Sequence, residues 1–157
     1  MNLTDPDESR FARRSALGAH LRIDLRDDQF IHHSEYLVSY ECDALSAYRQ
    51  RPMLVTLPDN TAQVAVVLKA CSALDIPIVP WGAGTGLSGG ALPRPDGVVL
   101  STARLNQVLD IDLENRTVTV QPGVTNRGVT DAVEAHGFYN APDPSSHLSG
   151  SIGGNLA

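Results

Sequence analysis

The chain has 157 residues, of which 42% are hydrophobic and 19% charged, and its formal net charge is −6. This composition is typical of one globular domain rather than of a disordered segment. The acidic balance argues against a nucleic-acid partner, since such proteins usually carry a basic face. No apolar run approaches the ~18 residues of a membrane span, and the charged N-terminus lacks the apolar core of a signal peptide. Cys42 and Cys71 form no CxxC pair, so we expect two reduced, buried thiols, no metal site and a cytoplasmic location.

The N-terminal part predicts one helix and a short strand. Residues 5–20 carry a weak helical pattern, which Asp5 and Pro6 would begin. Its predicted apolar face consists of Phe11, Ala12, Ala16 and Leu17. A strand at 30–32 and a helical turn at 35–38 follow. Adjacent side chains on a strand point to opposite faces, so we expect His32 and His33 to be surface histidines rather than a metal pair.

A strand, a helix and a second strand are predicted next. Residues 53–57 read as a buried strand, and Thr61 is the expected N-cap of the helix. The apolar positions of this helix recur at the spacing of one face: Val64, Val67, Leu68, Cys71 and Leu74. Residues 76–79 complete a βαβ unit, whose crossover should be right-handed. Arg49 and Arg51 precede the unit, and we expect them to be solvated or to bridge to Asp43.

Beyond residue 97 the pattern becomes more antiparallel. A strand is predicted at 98–101. Residues 108–113 and 117–121 alternate between apolar and polar side chains and flank a polar turn, which predicts a hairpin. Residues 140–150 form a polar, proline-rich loop.

One more helix is predicted between the hairpin and this loop. Thr125 or Asn126 would cap it, and Gly137 would end it after residue 136. The residues expected to face inward are Val129, Ala132 and Val133.

The most informative stretch is residues 80–91, P-W-G-A-G-T-G-L-S-G-G-A, which follows the second βαβ strand. Glycine loses more backbone entropy on folding than any other residue, so such a cluster indicates a tight turn or a very close approach. A run of bare N–H groups forms a concave anion site suited to phosphate. The carboxyl end of a strand is also where open α/β sheets bind ligands. The alternative is a mobile surface loop, although a linker would be more polar and serine-rich.

The loop contains two literal motif matches that require a following helix. Residues 84–89 match G-x-G-x-x-G of dinucleotide-binding folds, and residues 86–90 match the G-x-S-x-G nucleophile elbow. Pro93 and Pro95 follow, and an interior proline costs a helix ~3 kcal/mol or more. A Walker A loop needs a lysine, and the single lysine is Lys69. The sequence therefore favours a phosphate site made of backbone amides, assisted by the hydroxyls of Thr85 and Ser88.

Three further segments accompany this loop: Y-E-C-D-A-L-S-A-Y-R-Q-R-P at 40–52, P-D-P-S-S at 142–146 and S-I-G-G-N at 151–155. Together they resemble the FAD-binding domain of flavoenzymes of the vanillyl-alcohol oxidase and p-cresol methylhydroxylase type. The 40–52 segment points to the subgroup containing the FAD-binding D-subunit of glycolate oxidase and D-lactate dehydrogenases.

The resemblance implies an α+β fold with two lobes. A small βαβ lobe would span 30–97 and a more antiparallel lobe 98–157, with residues 1–29 as a helical extension. We expect the domain to be incomplete at its C-terminus, because family members continue into a further flavin-contacting segment and a substrate domain. The residues that bind substrate and accept its proton are expected there, so no catalytic residue is assigned.

The resemblance also implies FAD held between the lobes. Because the glycine loop lacks the histidine that attaches FAD covalently in some members, we expect non-covalent FAD. The expected cofactor-binding residues are Trp81, Gly82, Ala83, Gly84, Thr85, Gly86, Ser88, Gly89, Gly90, Pro142, Asp143, Ser146, Ser149 and Gly153. Two alternatives stay open: Trp81 could stack on adenine or, as we favour, pack between the lobes, and P-D-P-S-S could be a plain turn.

By this resemblance the whole enzyme would transfer a hydride from the α-carbon of a 2-hydroxy acid, such as glycolate or D-lactate, to the flavin. The implied partners are iron–sulfur and accessory flavin-binding subunits, through which the protein would lie peripherally at the inner membrane. The fragment alone would be inactive and would bind FAD weakly. The alternative is a standalone nucleotide- or FAD-binding module without catalysis.

Overall fold

The computed structural model describes residues 6–142 and 144–157. Its helices and strands are α1 (Pro6–Leu21), β1 (Phe30–Ile31), α2 (Ser34–Leu37), β2 (Leu54–Thr56), α3 (Thr61–Ala73), β3 (Ile78–Trp81), β4 (Val98–Ser101), β5 (Val108–Asp112), β6 (Thr117–Val120), α4 (Asn126–Val133) and α5 (Ile152–Leu156). Short 3₁₀ turns occur at Asp27–Gln29, Val38–Tyr40 and Glu134–His136. Asp5, the expected start of α1, lies outside the described residues.

The first sheet has four strands in the order β1-β2-β4-β3. β1 is antiparallel to β2, whereas β4 pairs in parallel with both β2 and β3. The predicted βαβ unit is therefore present, but β4 is inserted between its two strands. The sequence placed a lobe boundary after residue 97, whereas residues 98–101 hydrogen-bond within the first sheet. Local patterns do not encode the order of parallel strands.

Both faces of this sheet are covered, because successive residues of a strand point to opposite sides. On one face, Val98 and Leu100 of β4 pack with Val67 of α3 and with Leu17 and Leu21 of α1. On the other face, Val55, Val99 and Trp81 pack against Leu37 of α2. Trp81 therefore points away from α1 and α3.

β3 ends two residues later than predicted and thereby fixes the start of the glycine loop. Trp81 pairs with Ser101 of β4, and the Trp81 carbonyl accepts a hydrogen bond of 2.9 Å from the Thr102 amide. Pro80 lies within β3 and has no N–H to donate. It is tolerated because β3 is an edge strand.

The predicted apolar face of α1 is wrong except at Leu17. Phe11 is 63% exposed, and Ala12 and Ala16 are exposed as well. Only the C-terminal half of α1 enters the core, through Leu17 and Leu21. The N-terminal half is tied down by Arg10, which donates to the Pro52 carbonyl at 3.0 Å.

The helix α3 begins one residue earlier than predicted. Asn60 is its N-cap, and the Asn60 side chain accepts a hydrogen bond from the Gln63 amide. Leu68 is 46% exposed, whereas Ala70 is buried beside Val67. The buried face is therefore rotated relative to the predicted one, because α3 packs against α1 as well as against the sheet.

The second sheet is the predicted hairpin. β5 and β6 pair antiparallel, with a register irregularity between Val108 and Asp110. α4 follows, and the Thr125 side chain caps it by accepting from the Gly128 amide at 2.9 Å. Val133 is buried, and Gly137 takes the left-handed conformation expected of a helix stop, with φ 77°.

Candidate functional site

The glycine loop leaves β3 at Trp81 and no helix follows it. From residue 82 to 97 the chain forms only bends, turns and irregular structure before β4 begins. This confirms that the two helix-dependent motifs are coincidental. A phosphate bound here would be held by the loop itself rather than by a helix N-terminus.

The backbone of the loop is arranged as an array of free donors. None of the amides of residues 82–90 donates to an acceptor within the described part of the chain. Gly84 and Gly89 adopt positive φ values of 68° and 73°, which side-chain-bearing residues rarely do. Unpaired amides in a strongly curved loop suit an anionic group with several acceptor oxygens, such as a pyrophosphate.

Two glycines of the loop lie in close contact with other parts of the protein. A Cβ on Gly82 would lie 2.5 Å from the Ser151 Oγ atom. A Cβ on Gly84 would lie 2.7 Å from Cζ2 of the Trp81 indole. The loop is therefore pressed against β3 on one side and against the segment that precedes α5 on the other.

The glycine loop packs on the side chain of Trp81. This side chain is buried, and its ring lies 5.4 Å from the ring of Tyr40, centroid to centroid. Burial raises the pKa of the Tyr40 hydroxyl, while a hydrogen bond with Ser101 opposes the shift. Of the two roles that the sequence left open for Trp81, this geometry favours packing.

The other predicted loop residues face outward to different degrees. Thr85 is half-buried, and Ala83, Gly86, Ser88 and Gly90 are exposed. Around Gly90 no atom lies within 4 Å of a built Cβ. This open side of the loop is where a ligand would approach.

The S-I-G-G-N segment is joined directly to the loop through Ser151. Ser151 is buried, caps α5 by accepting from the Gly154 amide at 3.4 Å, and pairs with Thr125 in an isolated bridge. From the sequence, Ser151 was expected only to belong to the segment that lines the cofactor, with no contact to the glycine loop. A serine three residues before Gly154 is an ordinary N-cap signal, but its contact with Gly82 spans the domain and leaves no local signature.

Gly153 packs closely on Pro122. Its amide donates to the Pro122 carbonyl at 2.9 Å, and a built Cβ would lie 2.7 Å from the Pro122 Cβ. The expectation that Gly153 lets a ligand come close to the backbone therefore has a competing physical explanation in this structure.

The fully buried side chain of Asn126 in α4 connects the 140–150 loop and α5. Its Oδ1 atom accepts from Asn155 Nδ2 at 2.7 Å and from Asn140 Nδ2 at 3.3 Å, and its Nδ2 atom donates to the Gly150 carbonyl at 3.2 Å. Both ends of the 140–150 loop and the end of α5 are thus tied to α4. The sequence suggested Asn126 only as a helix cap.

Among the described residues, no hydrogen bond joins Pro142, Ser146 or Ser149 to the glycine loop. Pro142 and Ser149 are exposed, and Ser149 Oγ donates to the Ser146 carbonyl at 3.5 Å. Ser146 packs on Gly150, where a Cβ would lie 2.7 Å from its Oγ atom. Asp143 lies outside the described residues.

The arginines that precede β2 have a partner other than the one expected. Arg49 and Arg51 contact the two carboxylate oxygens of Glu41 at 2.8 and 3.5 Å. The hydrogen bond from Arg49 is the main cause that lowers the pKa of Glu41. Neither arginine bridges to Asp43, because Glu41 is the carboxylate within reach.

His32 and His33 both lie beyond the end of β1, so the expected alternation of strand side chains does not apply to them. Their rings lie 4.3 Å apart, and His33 is the N-cap residue of α2, although its side chain makes no capping hydrogen bond. Burial and the neighbouring charge of His33 lower the pKa of His32. Among residues 6–142 and 144–157, no group of three or more His, Cys, Asp and Glu side chains is arranged to hold a metal ion.

The two thiols are free but differ in environment. Cys71 is buried in the core, which raises its pKa to about 11. Cys42 is only half-buried, so the expectation of two buried thiols is correct for Cys71 alone. Within the described ranges, none of the helices combines the length and apolar character needed to cross a bilayer.

Residues 52–157 match the family model of the FAD binding domain. The chain belongs to this family. The match covers the glycine loop, the hairpin, the 140–150 loop and α5, and it confirms the resemblance drawn from the sequence. The nest of free amides fits the pyrophosphate of FAD, the cofactor that defines the family.

Individual relatives give a more specific comparison than the family model does. The chain is 52% identical over 129 residues to the glycolate oxidase subunit GlcD of Escherichia coli, covering 82% of this chain and 26% of that protein. It is 36% identical over 116 residues to the D-lactate dehydrogenase of Anaerostipes hadrus, covering 73% and 24%. The chain thus spans about a quarter of the length of these curated relatives.

Comparison with solved structures agrees with the family assignment. The chain superposes on p-cresol methylhydroxylase with a TM-score of 0.70 and 26% identity, covering 83% of this chain and 25% of that one. The α+β arrangement with two sheets is therefore that of the p-cresol methylhydroxylase type.

Proposed function

We propose that this chain is the N-terminal FAD-binding part of a dehydrogenase or oxidase that acts on 2-hydroxy acids. The single observation that carries the proposal is the 52% identity to a glycolate oxidase subunit, over a stretch that includes most of the chain. The D-lactate dehydrogenase relative supports the same substrate class, because glycolate and D-lactate are both 2-hydroxy acids. When bound, FAD would supply the acceptor for the hydride removed from the substrate α-carbon.

In this proposal the chain binds and orients the cofactor. The amides of residues 82–90 would hold the pyrophosphate, and the Thr85 and Ser88 hydroxyls would add hydrogen bonds. Pro142, Asp143, Ser146, Ser149 and Gly153 would lie along the rest of the cofactor, and Trp81 would fix the loop from below. Attachment would be non-covalent, because the glycine loop has no histidine.

The FAD-binding domain would begin near residue 30, with its first lobe ending after Ser101. We assign no residue of this chain a role in removing the substrate proton. The relative's description as a subunit supports partner subunits. We propose that these include iron–sulfur and accessory flavin-binding subunits, which would hold the cytoplasmic protein at the inner membrane.

Two experiments test the proposal. In the first, the purified chain is titrated with FAD, and flavin fluorescence and thermal unfolding are followed. We expect saturable binding and an increase in Tm, since a ligand that binds only the native state stabilises it. A folded chain that shows neither change would contradict the assignment of the FAD site.

In the second, the chain replaces the matching segment of Escherichia coli GlcD. We expect the chimera to bind FAD, and its flavin absorbance to bleach when glycolate is added without oxygen. Bleaching with D-lactate alone would assign the specificity to this segment. A chimera that binds FAD but is reduced by neither acid would favour a binding module without catalysis and would refute the catalytic proposal.

A further inference from the structure

Asp43 is a buried carboxylate with one oxygen left unpaired. The residue exposes only 5% of its surface. Its Oδ1 atom accepts a hydrogen bond of 2.9 Å from the Leu45 amide, which closes a local turn. Its Oδ2 atom is shielded from solvent and has no hydrogen-bond partner among the described residues. A buried acceptor without a partner is costly, so it calls for an explanation.

The unpaired oxygen lies beneath the glycine loop. A Cβ built on Gly86 would sit 3.6 Å from Asp43 Oδ2, and one built on Gly89 would sit 3.8 Å from the Leu45 side chain. Residues 43–45 therefore pack directly against this part of the loop. An acceptor without a donor thus lies against a loop whose amides have no acceptor within the described chain.

The cofactor's phosphates cannot satisfy Asp43. They carry the same sign of charge and have no hydrogen to donate, so their contact with a carboxylate would be repulsive. The oxygen is also enclosed by protein in the structure, which argues against direct contact with a ligand. The remaining donors next to it are the N–H groups and hydroxyls of the loop.

We propose that Asp43 is a positioning residue for the glycine loop. When the pyrophosphate binds, one donor of the loop turns toward Asp43 Oδ2, and this hydrogen bond fixes the direction of the remaining amides. The role rests on FAD binding by this loop. It explains why an unpaired carboxylate is kept under an anion site, where its charge alone would weaken binding.

The test is the variant Asp43→Asn. Asparagine keeps an oxygen for the Leu45 amide but has an NH₂ group, a donor, at the position of Oδ2. The unliganded variant should be as stable as the wild type or more stable, because an unpaired buried charge is removed. Its Kd for FAD should rise about tenfold or more, the usual effect of losing a hydrogen bond to a charged group.

Asp112→Asn is the matched control. Asp112 closes a similar turn at the end of β5, but both of its oxygens are satisfied by Asn115, at 2.9 and 2.7 Å. The same chemical change there should leave the FAD affinity unchanged. A purely structural role of Asp43 would not produce the split between retained stability and lost affinity.

Hydrogen exchange at saturating FAD identifies the donor. In the wild type, bound FAD should protect the amides of residues 82–90, and Asp43→Asn should leave them less protected at the same occupancy. Unchanged or tighter FAD binding by Asp43→Asn would overturn the proposal. So would weaker binding with full protection of the loop, which would indicate a hydroxyl of FAD as the donor. Failure of the wild type to bind FAD would refute the FAD site itself, and with it this role.

Discussion

Gly84→Val should strongly weaken FAD binding without unfolding the protein. The substitution places a β-branched residue at φ 68° and a Cβ 2.7 Å from the buried Trp81 ring. The left-handed region alone costs an L-residue roughly 1–2 kcal/mol. The clash adds to this, because carbon atoms prefer separations of about 3.5–4.0 Å.

The unliganded loop can relax away from this strain, whereas the form that binds pyrophosphate must restore it. The strain is therefore subtracted from the binding free energy. A total of about 2 kcal/mol raises the Kd about thirtyfold, since every 1.4 kcal/mol is a factor of ten. Because the clash begins at Cβ, Gly84→Ala should also bind more weakly, although less so than valine.

Gly137→Val supplies the control for the fold. Gly137 also has a positive φ, 77°, but a built Cβ meets no atom within 4 Å, and the residue lies after α4, outside the glycine loop. Both variants should lose thermal stability, and only Gly84→Val should lose FAD affinity in a fluorescence titration. Equal FAD affinity of the wild type and Gly84→Val would refute the interpretation of this loop as a pyrophosphate nest.

Three further predictions concern the glycine loop, the buried Asn126 side chain and the core thiol of Cys71. Ser88→Ala should raise the Kd for FAD only about fivefold, because one solvent-exposed hydrogen bond from a hydroxyl is lost while the amides remain; loss of all binding in the same titration would mean that the amides are not the main contacts. Asn126→Ala should lower the free energy of unfolding by about 2–3 kcal/mol in urea, because it leaves buried polar groups unpaired, whereas Asn115→Ala in the exposed hairpin turn should have little effect. Cys71 should react with a thiol reagent only after unfolding, because burial raises its pKa to about 11 and the thiolate is the reactive form; modification of Cys71 as fast as that of Cys42 in the native chain would contradict its placement in the core.

Elements with a strong local signal were predicted well from the sequence. The hairpin β5–β6 follows from alternation on either side of a polar turn, and the stop at Gly137 follows from the freedom of glycine at positive φ. β4 was predicted at its observed residues, because a short apolar run between turn residues has few other solutions.

Long-range pairing could not be predicted in this way. Nothing in residues 98–101 indicates that they insert between β2 and β3, since the order of parallel strands depends on crossover geometry. Similarly, the exposure of Phe11 and Leu68 depends on where α1 crosses α3. Helical periodicity identifies an apolar face but does not decide which of its residues the neighbouring helix covers.

In the candidate site, too, local features were predicted from the sequence and long-range contacts were not. The glycine loop was identified from composition, and proline residues after it excluded the two helix-dependent motifs. The residues that shape the loop were missed, because Ser151 and Asp43 reach it from segments far away in the chain. A serine cap and an aspartate turn have ordinary local explanations, so only the folded arrangement reveals the second contact that each one makes.

These contacts show that the glycines of the loop are explained partly by packing within the protein and not only by the approach of a ligand. Gly82 and Gly84 lack side chains because Ser151 and Trp81 occupy that space, whereas Gly90 faces open space where a ligand can approach. Protein packing on one side thus holds the loop in a curved form before any ligand arrives. A loop that is already ordered loses less conformational entropy on binding, so more of the hydrogen-bond energy of its amides remains for the cofactor. By this reasoning, a substitution that loosens the support at Ser151 should weaken FAD binding, although Ser151 need not touch the cofactor.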